Sequence, residues 1–552
     1  MSLRVLIVWL VFLGVTWPGT SATYYVDALR GVDRSVGTRP DQAWRSLARA
    51  SQLKLAAGDT LLLFAGQTHP GSLTFHDLAG TAEAPITFGC HVPEGTPLEE
   101  AGTARALIDA QHHPHALHLD NPRHVLVRDL ILQANGGNPR PPGRSTTPPM
   151  RCGVRVTTSQ PGDYGDLTLQ NLWVRDIYYE NPGFRRSAAE VRSANGTQSY
   201  GWGIRFFNET PGARLHDLTV RDCLIENTEH TGLKFTAPPD GIQRVHVVDN
   251  EVRRTGGPGI QLSGVTNGRF SGNRVDRPGH AADSRQWGRG SGLWTWSSRD
   301  ILIEHNRFTH ANGPGDSAGC HIDFNCRNVV VQYNFSAGNA GGFCEILGNN
   351  HNCAYRYNIS VDDGHRRKGE RGAFQEGKIL WLSGYTGEAR PPRGPFNSYI
   401  YNNTIYTSAS HLAQIALAPS SDGILIANNI FHLRGPSRTV GGDQNRAEAI
   451  ATVRSDRILF ANNLYLQAGN WPTESTIQDA NPLYGDPVFI RPGGREPADY
   501  VPQDPLCVKD LGLTLAPLRG DTVGLAVGLA VTHDILGQPI VGTPDLGAIE
   551  SP

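Results

Sequence analysis

The sequence predicts an all-β chain wound as a solenoid of parallel coils, and three observations point to it. A β-rich triplet or quartet ending in Asn recurs along the chain, a short strand led by Gly accompanies each recurrence, and turn residues are spread throughout. Of 552 residues, 63 are Gly and 37 are Pro, while 18% are charged and 39% hydrophobic. That apolar content argues against disorder, and no Gly-X-Y period supports collagen. Lys plus Arg (50) nearly cancels Asp plus Glu (52), so there is no basic footprint for nucleic acid.

The chain opens on a targeting segment, expected to be a signal peptide over 1–22. Arg4 gives the positive region, residues 5–15 the apolar run, and Thr20-Ser21-Ala22 the small residues of a cleavage site. The run is too short to cross a bilayer and no later stretch is longer. A secreted or periplasmic protein with no membrane span after cleavage follows as the expectation. Residues 23–108 are expected to cap the solenoid, because Trp44, Leu47, Ala48 and Leu53 recur at helical spacing and can lay an apolar face over the first coil. The coils themselves are assigned to 109–467. Residues 468–552 are rich in Pro and Gly, lose the Asn period beyond Asn481, and are expected to form an irregular C-terminal cap.

The repeat fixes the coils. Its Asn residues are Asn250, Asn273, Asn306, Asn334, Asn358, then the doublets Asn402-Asn403, Asn428-Asn429 and Asn462-Asn463. Taking the first Asn of each doublet, the gaps run from 23 to 44 residues, a basic coil with insertions of variable size. Asn tolerates the left-handed backbone of a tight turn, and stacked Asn side chains can hydrogen-bond along a ladder. Strands of successive coils then pair in parallel, about 4.8 Å apart.

The opening TYYVDALRGVDRSVGTRPDQAWRSL, the following LAAGDTLLLFAGQTHPGSLTF, the Asn-ended repeats, and the closing NPLYGDPVF and TPDLGAIE resemble secreted bacterial proteins of the pectate-lyase-like superfamily. The resemblance covers nearly all of the chain beyond the targeting segment. It implies a single-stranded right-handed parallel β-helix. It implies carbohydrate chemistry only broadly, since that superfamily holds lyases, hydrolases, epimerases and adhesins.

Alternation along the Gly-led strands GVRV, GIRF, GLKF, GIQL, GLWTW, GCHIDF, GFCEIL and GKILWL sends one set of side chains outward. That set is Arg155, Arg205, Lys234, Gln261, Trp294 with Trp296, His321 with Asp323, Glu345 and Lys378. The chain has five lysines, and two stand in this row. Such a groove suits a polysaccharide or oligosaccharide: sugar faces stack on Trp294 and Trp296, while Arg205, Lys234 and Gln261 bind polar or anionic groups. The segment 276–290 is a possible cover for the two indoles.

Asp323 and Glu345 are 22 residues apart, one coil without insertion, and are expected on adjacent rungs about 5 Å apart. Two carboxylates that close would not both ionise, which is the acid/base division that glycosidases use. His321 would orient Asp323. A polysaccharide lyase or epimerase would instead use Lys378 or His321 as base with the Arg/Lys row, and calcium would be its cofactor. A non-catalytic glycan-binding protein needs the groove alone. Hydrolysis of an acidic polysaccharide by a monomer without cofactor is the leading expectation. The cluster His112, His113, His115 and His118 lacks a carboxylate at ligand spacing, so no metal site is assigned. The charged loop 362–378 is a further candidate to bring His365, Arg366 or Glu376 over the groove. The eight cysteines show no CxxC pair and are expected to be buried or disulfide-bonded.

Overall fold

The computed structural model describes residues 21–93, 104–137, 150–193, 199–387, 390–441, 457–472 and 477–551; the expected signal peptide lies almost wholly outside them. Three parallel sheets of 14, 12 and 14 strands run the length of the molecule, and each coil contributes one strand to each sheet in turn. In one coil the order is Gly201–Phe207, Ala213–Arg221, Leu224–Thr228, and the chain then returns to the first sheet at Leu233–Thr236. This is a right-handed parallel β-helix.

Alternation produces the core. Ile204 and Phe206 are fully buried and pair with Leu233 and Phe235 in the next coil, where the two Phe rings stack 4.7 Å apart. Each such aliphatic or aromatic side chain contributes about 1.5–3 kcal/mol on burial. Gly starts the strands of the first sheet because the coils approach closely there: a Cβ on Gly292 would lie 2.2 Å from the carbonyl oxygen of Gly319.

The corner between the second and third sheets holds the Asn ladder. The Oδ1 of Asn334 accepts from the backbone N–H of Asn306 at 2.9 Å and from its Nδ2 at 3.0 Å, and the pattern repeats coil after coil. Cys223 begins the row by donating its N–H to Asn250, and the carboxylate of Asp479 ends it by accepting from Asn463. In each doublet it is the second Asn (Asn403, Asn429, Asn463) that joins the ladder. The left-handed residue is the one before it, whether Asp249, His305, Tyr357 or Asn402. The ladder Asn and the turn residue are thus two neighbouring positions, not one.

The pairing extends to both sides of 109–467. Thr60–Phe64, Thr68–Pro70 and Leu73–His76 already belong to the three sheets, and Leu483–Tyr484 still pairs with Leu464–Tyr465. The N-terminal helix is a single turn, Leu47–Ala50, capped by Ser46, with Leu47 and Ala50 buried; Trp44 precedes it and stacks on Tyr24. The C-terminal segment is largely irregular and runs along the flank. Phe489, Tyr500 and Leu546 pack on Phe335 and Ile359, while Leu525 and Leu529 pack near Tyr399 and Tyr401. All eight cysteines are free thiols, six of them buried, so the disulfide alternative does not apply here.

Candidate active site

The register of the first sheet aligns Arg155, Arg205, Lys234, Gln261, Trp294 and His321 on consecutive rungs. The outward row expected from alternation is therefore present through these six residues, but Lys378 falls outside it: Lys378 pairs with Gly342, and Trp381 takes the rung opposite Glu345. Most of it is covered, however: Arg205, Gln261, Trp294, His321, Asp323, Glu345 and Lys378 are all buried, while Trp296 stays 38% exposed. Three excursions leaving the corner between the third and first sheets build the cover. The first, following Tyr178, carries the helix Ala188–Arg192, capped by Ser187, and is anchored by Arg186, whose guanidinium pairs with Glu180, Glu190 and Glu229. The second, within 277–292, donates from Trp287 to the carbonyl of Glu190 and from Arg289 to that of Arg192. The third, 362–377, reaches across through Arg366, which donates to the carbonyl of Asp316 at 2.7 Å.

Register corrects one expectation. Ile322 pairs with Ile346, so Glu345 stands opposite His321, and Asp323 lies two residues further along, level with Trp296. Asp323 and Glu345 are diagonal neighbours rather than rung partners. A third carboxylate, absent from the sequence-based candidates, completes the group. Asp316 sits in the turn that feeds the strand, where alternation has no say, and both it and Ser317 adopt left-handed backbone (φ 48° and 76°). Consecutive residues of this kind store strain and gather at functional sites.

The carboxylates are driven to different charge states. Burial would raise Asp316, but Arg289 outweighs it: Nη2 and Nε donate to Oδ2 at 2.6 and 3.0 Å and hold the carboxyl below its usual range, with His321 and Arg366 assisting. Asp323, 6% exposed, is pushed up to about 7 by burial, against the N–H of Phe324, and further by Asp316. Its Oδ2 accepts from Trp294 Nε1 at 2.7 Å and its Oδ1 from the Phe324 N–H at 2.8 Å. Glu345, 3% exposed, is raised well above its usual range by burial and by Asp316, with Lys378 opposing. Its Oε1 has no hydrogen-bond partner.

His321 is pulled down to about 4 by burial and is neutral near pH 7; its Nδ1 lies 3.0 Å from Ser291 Oγ and 3.8 Å from Glu345 Oε2. Its ring lies tilted beside Trp294, centroids 5.0 Å apart, and it does not bond Asp323, so the indole fills the orienting position expected of the imidazole. Lys378 Nζ lies 3.8 Å from the centre of the Trp381 ring and donates to the carbonyl of Glu376. Glu376 itself pairs with Arg438, and His365 stays near its own turn at Asp362. Of the loop candidates, Arg366 reaches the site, through the backbone carbonyl of Asp316.

Among the described residues, one cluster could hold a metal: Asp166, His216 and Asp217, on the second sheet, with Asp217 already paired to Arg244. It lies off the row and does not fit the calcium expected beside a lyase's substrate. His115 and His118, lowered to about 3 and about 4 chiefly by burial, bond Thr74 and Thr157. Among the described residues, no helix is long and apolar enough to cross a membrane.

No protein-family model matches the chain. Among curated proteins it is similar to the lacto-N-biosidase of Bifidobacterium longum, 23% identical over 631 residues covering 97% of this chain and 37% of that protein. A shorter likeness, 39% over 64 residues, is to the α-1,3-galactosidase A of Akkermansia muciniphila, covering 12% of this chain and 10% of that protein. The chain thus spans little more than a third of the length of the lacto-N-biosidase. Among solved structures, a GH136 lacto-N-biosidase from Eubacterium ramulus superposes with a TM-score of 0.52 at 19% identity, over 76% of this chain and 68% of that one. That likeness supports the β-helix fold.

Proposed function

We propose that the protein is an exported glycoside hydrolase acting on an oligosaccharide or the end of a longer glycan. One observation carries this: two neighbouring buried carboxyl groups in opposite surroundings, Asp323 pushed up to about 7 by burial with no cation bonded to it, and Asp316 held low by the Arg289 guanidinium. Hydrolysis of a glycosidic bond needs one carboxylic acid and one carboxylate. Both oxygens of Asp323 already accept hydrogen bonds, so the proton it carries is directed away from Trp294 and Phe324, toward a ligand. It passes to the glycosidic oxygen as the C–O bond breaks, and the anionic Asp316 offsets the positive charge growing at the anomeric carbon. Water completes the reaction, and Asp323 regains its proton.

Around this pair, Trp294 positions Asp323 and Trp296 offers an exposed ring to a sugar face. Glu345, His321 and Lys378 set the local charge, with the Glu345 carboxyl raised well above its usual range by burial and the imidazole neutral beside it. The likeness to lacto-N-biosidases supports release of a disaccharide, lacto-N-biose, as the first activity to test. The test is release of nitrophenol from a nitrophenyl lacto-N-bioside and of reducing ends from a glycan panel. New reducing ends, lowered at least a hundredfold by Asp316→Asn and by Asp323→Asn, are expected. Products bearing an unsaturated uronate, or near-normal turnover in either variant, would overturn the assignment.

A further inference from the structure

We propose that Arg155, Arg205 and Lys234 form a binding site for an anionic substituent, a sulfate ester or a carboxylate, carried by the glycan; this rests on the glycan-hydrolase reading above. The three cations occupy consecutive rungs of the first sheet, Arg155 opposite Arg205 and Arg205 opposite Lys234. Rungs lie about 4.8 Å apart, close enough for strong mutual repulsion. Other guanidinium groups on this side have carboxylates within hydrogen-bond distance: Arg186 has Glu180 and Glu190, Arg285 has Asp283, and Arg289 has Asp316. Arg155, Arg205 and Lys234 have none among the described residues. Glu209, exposed in the turn after the Arg205 strand, pulls on Arg205 without bonding to it.

Several polar atoms of this row and of Trp202 are also left without partners. Arg205 is 4% exposed, and its Nε, the Nε of Arg155, the Nε1 of Trp202 and the Oε1 of Gln261 are buried with no hydrogen bond. Three of these four are N–H donors; unsatisfied buried donors are costly, and several on neighbouring residues point to a missing acceptor. Trp202 makes the arrangement tolerable: the Arg205 guanidinium and the Lys234 ammonium lie 4.4 and 4.7 Å from its ring centre. Burial and the neighbouring cations nevertheless lower Arg205 to about 10 and Lys234 well below its usual range. An anion would supply the absent acceptor and relieve the repulsion. Arg155 and Lys234 are partly exposed, so the site can be reached. From Lys234 through Gln261 and Trp294 to His321 is three rungs, about 14 Å, which places the anion beyond the sugar that is cleaved.

The experiment is calorimetric binding to the Asp323→Asn protein, so that failure of the hydrolase assignment leaves the measurement intact. The probes are neutral oligosaccharides, each paired with its monosulfated and its monosialylated derivative. At least one acidic member should bind about tenfold more tightly than its neutral partner, and which derivative does so distinguishes sulfate from carboxylate. The preference should disappear in Arg155→Met and Lys234→Met, and in the parent should shrink as salt rises from about 0.05 to 0.5 M. No preference for any acidic member, a preference surviving both substitutions, or one insensitive to salt would overturn the proposal. The salt series keeps the test decisive even where a variant fails to fold.

Discussion

Replacing Asp323 by Asn should abolish turnover and, at the same time, change how stability depends on pH. The carboxyl has a pKa of about 7 in the folded protein against 3.8 in an open chain. The folded state therefore holds this proton more tightly, and wild-type stability falls as pH rises from about 4 to about 7, then levels off. The difference corresponds to about 4 kcal/mol. Asn cannot ionise, so the variant lacks this fall. It has its own penalty, because a single amide oxygen cannot accept from both Trp294 Nε1 and the Phe324 N–H, at about 1–3 kcal/mol. That penalty is the same at every pH. Stability of variant relative to wild type should thus improve by about 4 kcal/mol between pH 4 and pH 8. Losing the Asp323 charge also eases the ionisation of Glu345, which adds to the variant's relative gain at high pH. Denaturant-induced unfolding followed by Trp fluorescence at stepped pH measures it. Stability curves for the two proteins that stay parallel within about 1 kcal/mol would refute the buried-acid argument.

Two further outcomes are expected. The rate on a neutral substrate should decline as pH rises through about 7, where Asp323 loses its proton, and should hold at acid pH until Asp316, kept low by Arg289, is neutralised; a pH–rate profile checks both limbs. Asn334→Ala removes an acceptor used twice by Asn306 and donors to Ile303, Gln332 and Asn358, so unfolding stability should drop by about 3–5 kcal/mol, and a drop below about 1 kcal/mol would contradict the ladder's role.

The architecture was legible because its cause is local. An Asn that must bond the coil on either side recurs at the same corner whatever happens elsewhere, and alternation alone sent Arg205, Lys234, Gln261 and Trp294 outward. The doublets were ambiguous because the left-handed turn position also accepts Asn: Asn403 continues the main row, while Asn402, Asn428 and Asn462 bond one another in a second row beside it. Register across a pair of strands was harder, since the pairing that decides it, Ile322 with Ile346, rests on where the preceding turn places the chain. Asp316 was missed for the same reason: it belongs to that turn, outside the period of two. The burial of Trp294 and Glu345 depends on excursions from distant coils, and no single stretch of sequence encodes their meeting.

The three excursions share a point of departure, and this bears on how such a molecule diversifies. Each leaves between the third and first sheets, while the opposite corner is closed by the asparagine row, whose spacing ranges from 23 to 45 residues without breaking a bond. Folding and recognition are therefore written at different edges of one coil. A lineage can lengthen, shorten or exchange what hangs over the carboxylates and never touch the contacts that keep neighbouring turns in step. Changes in the sugar accepted should accordingly come by insertion and deletion at one edge, with the strands beneath serving as an unaltered chassis.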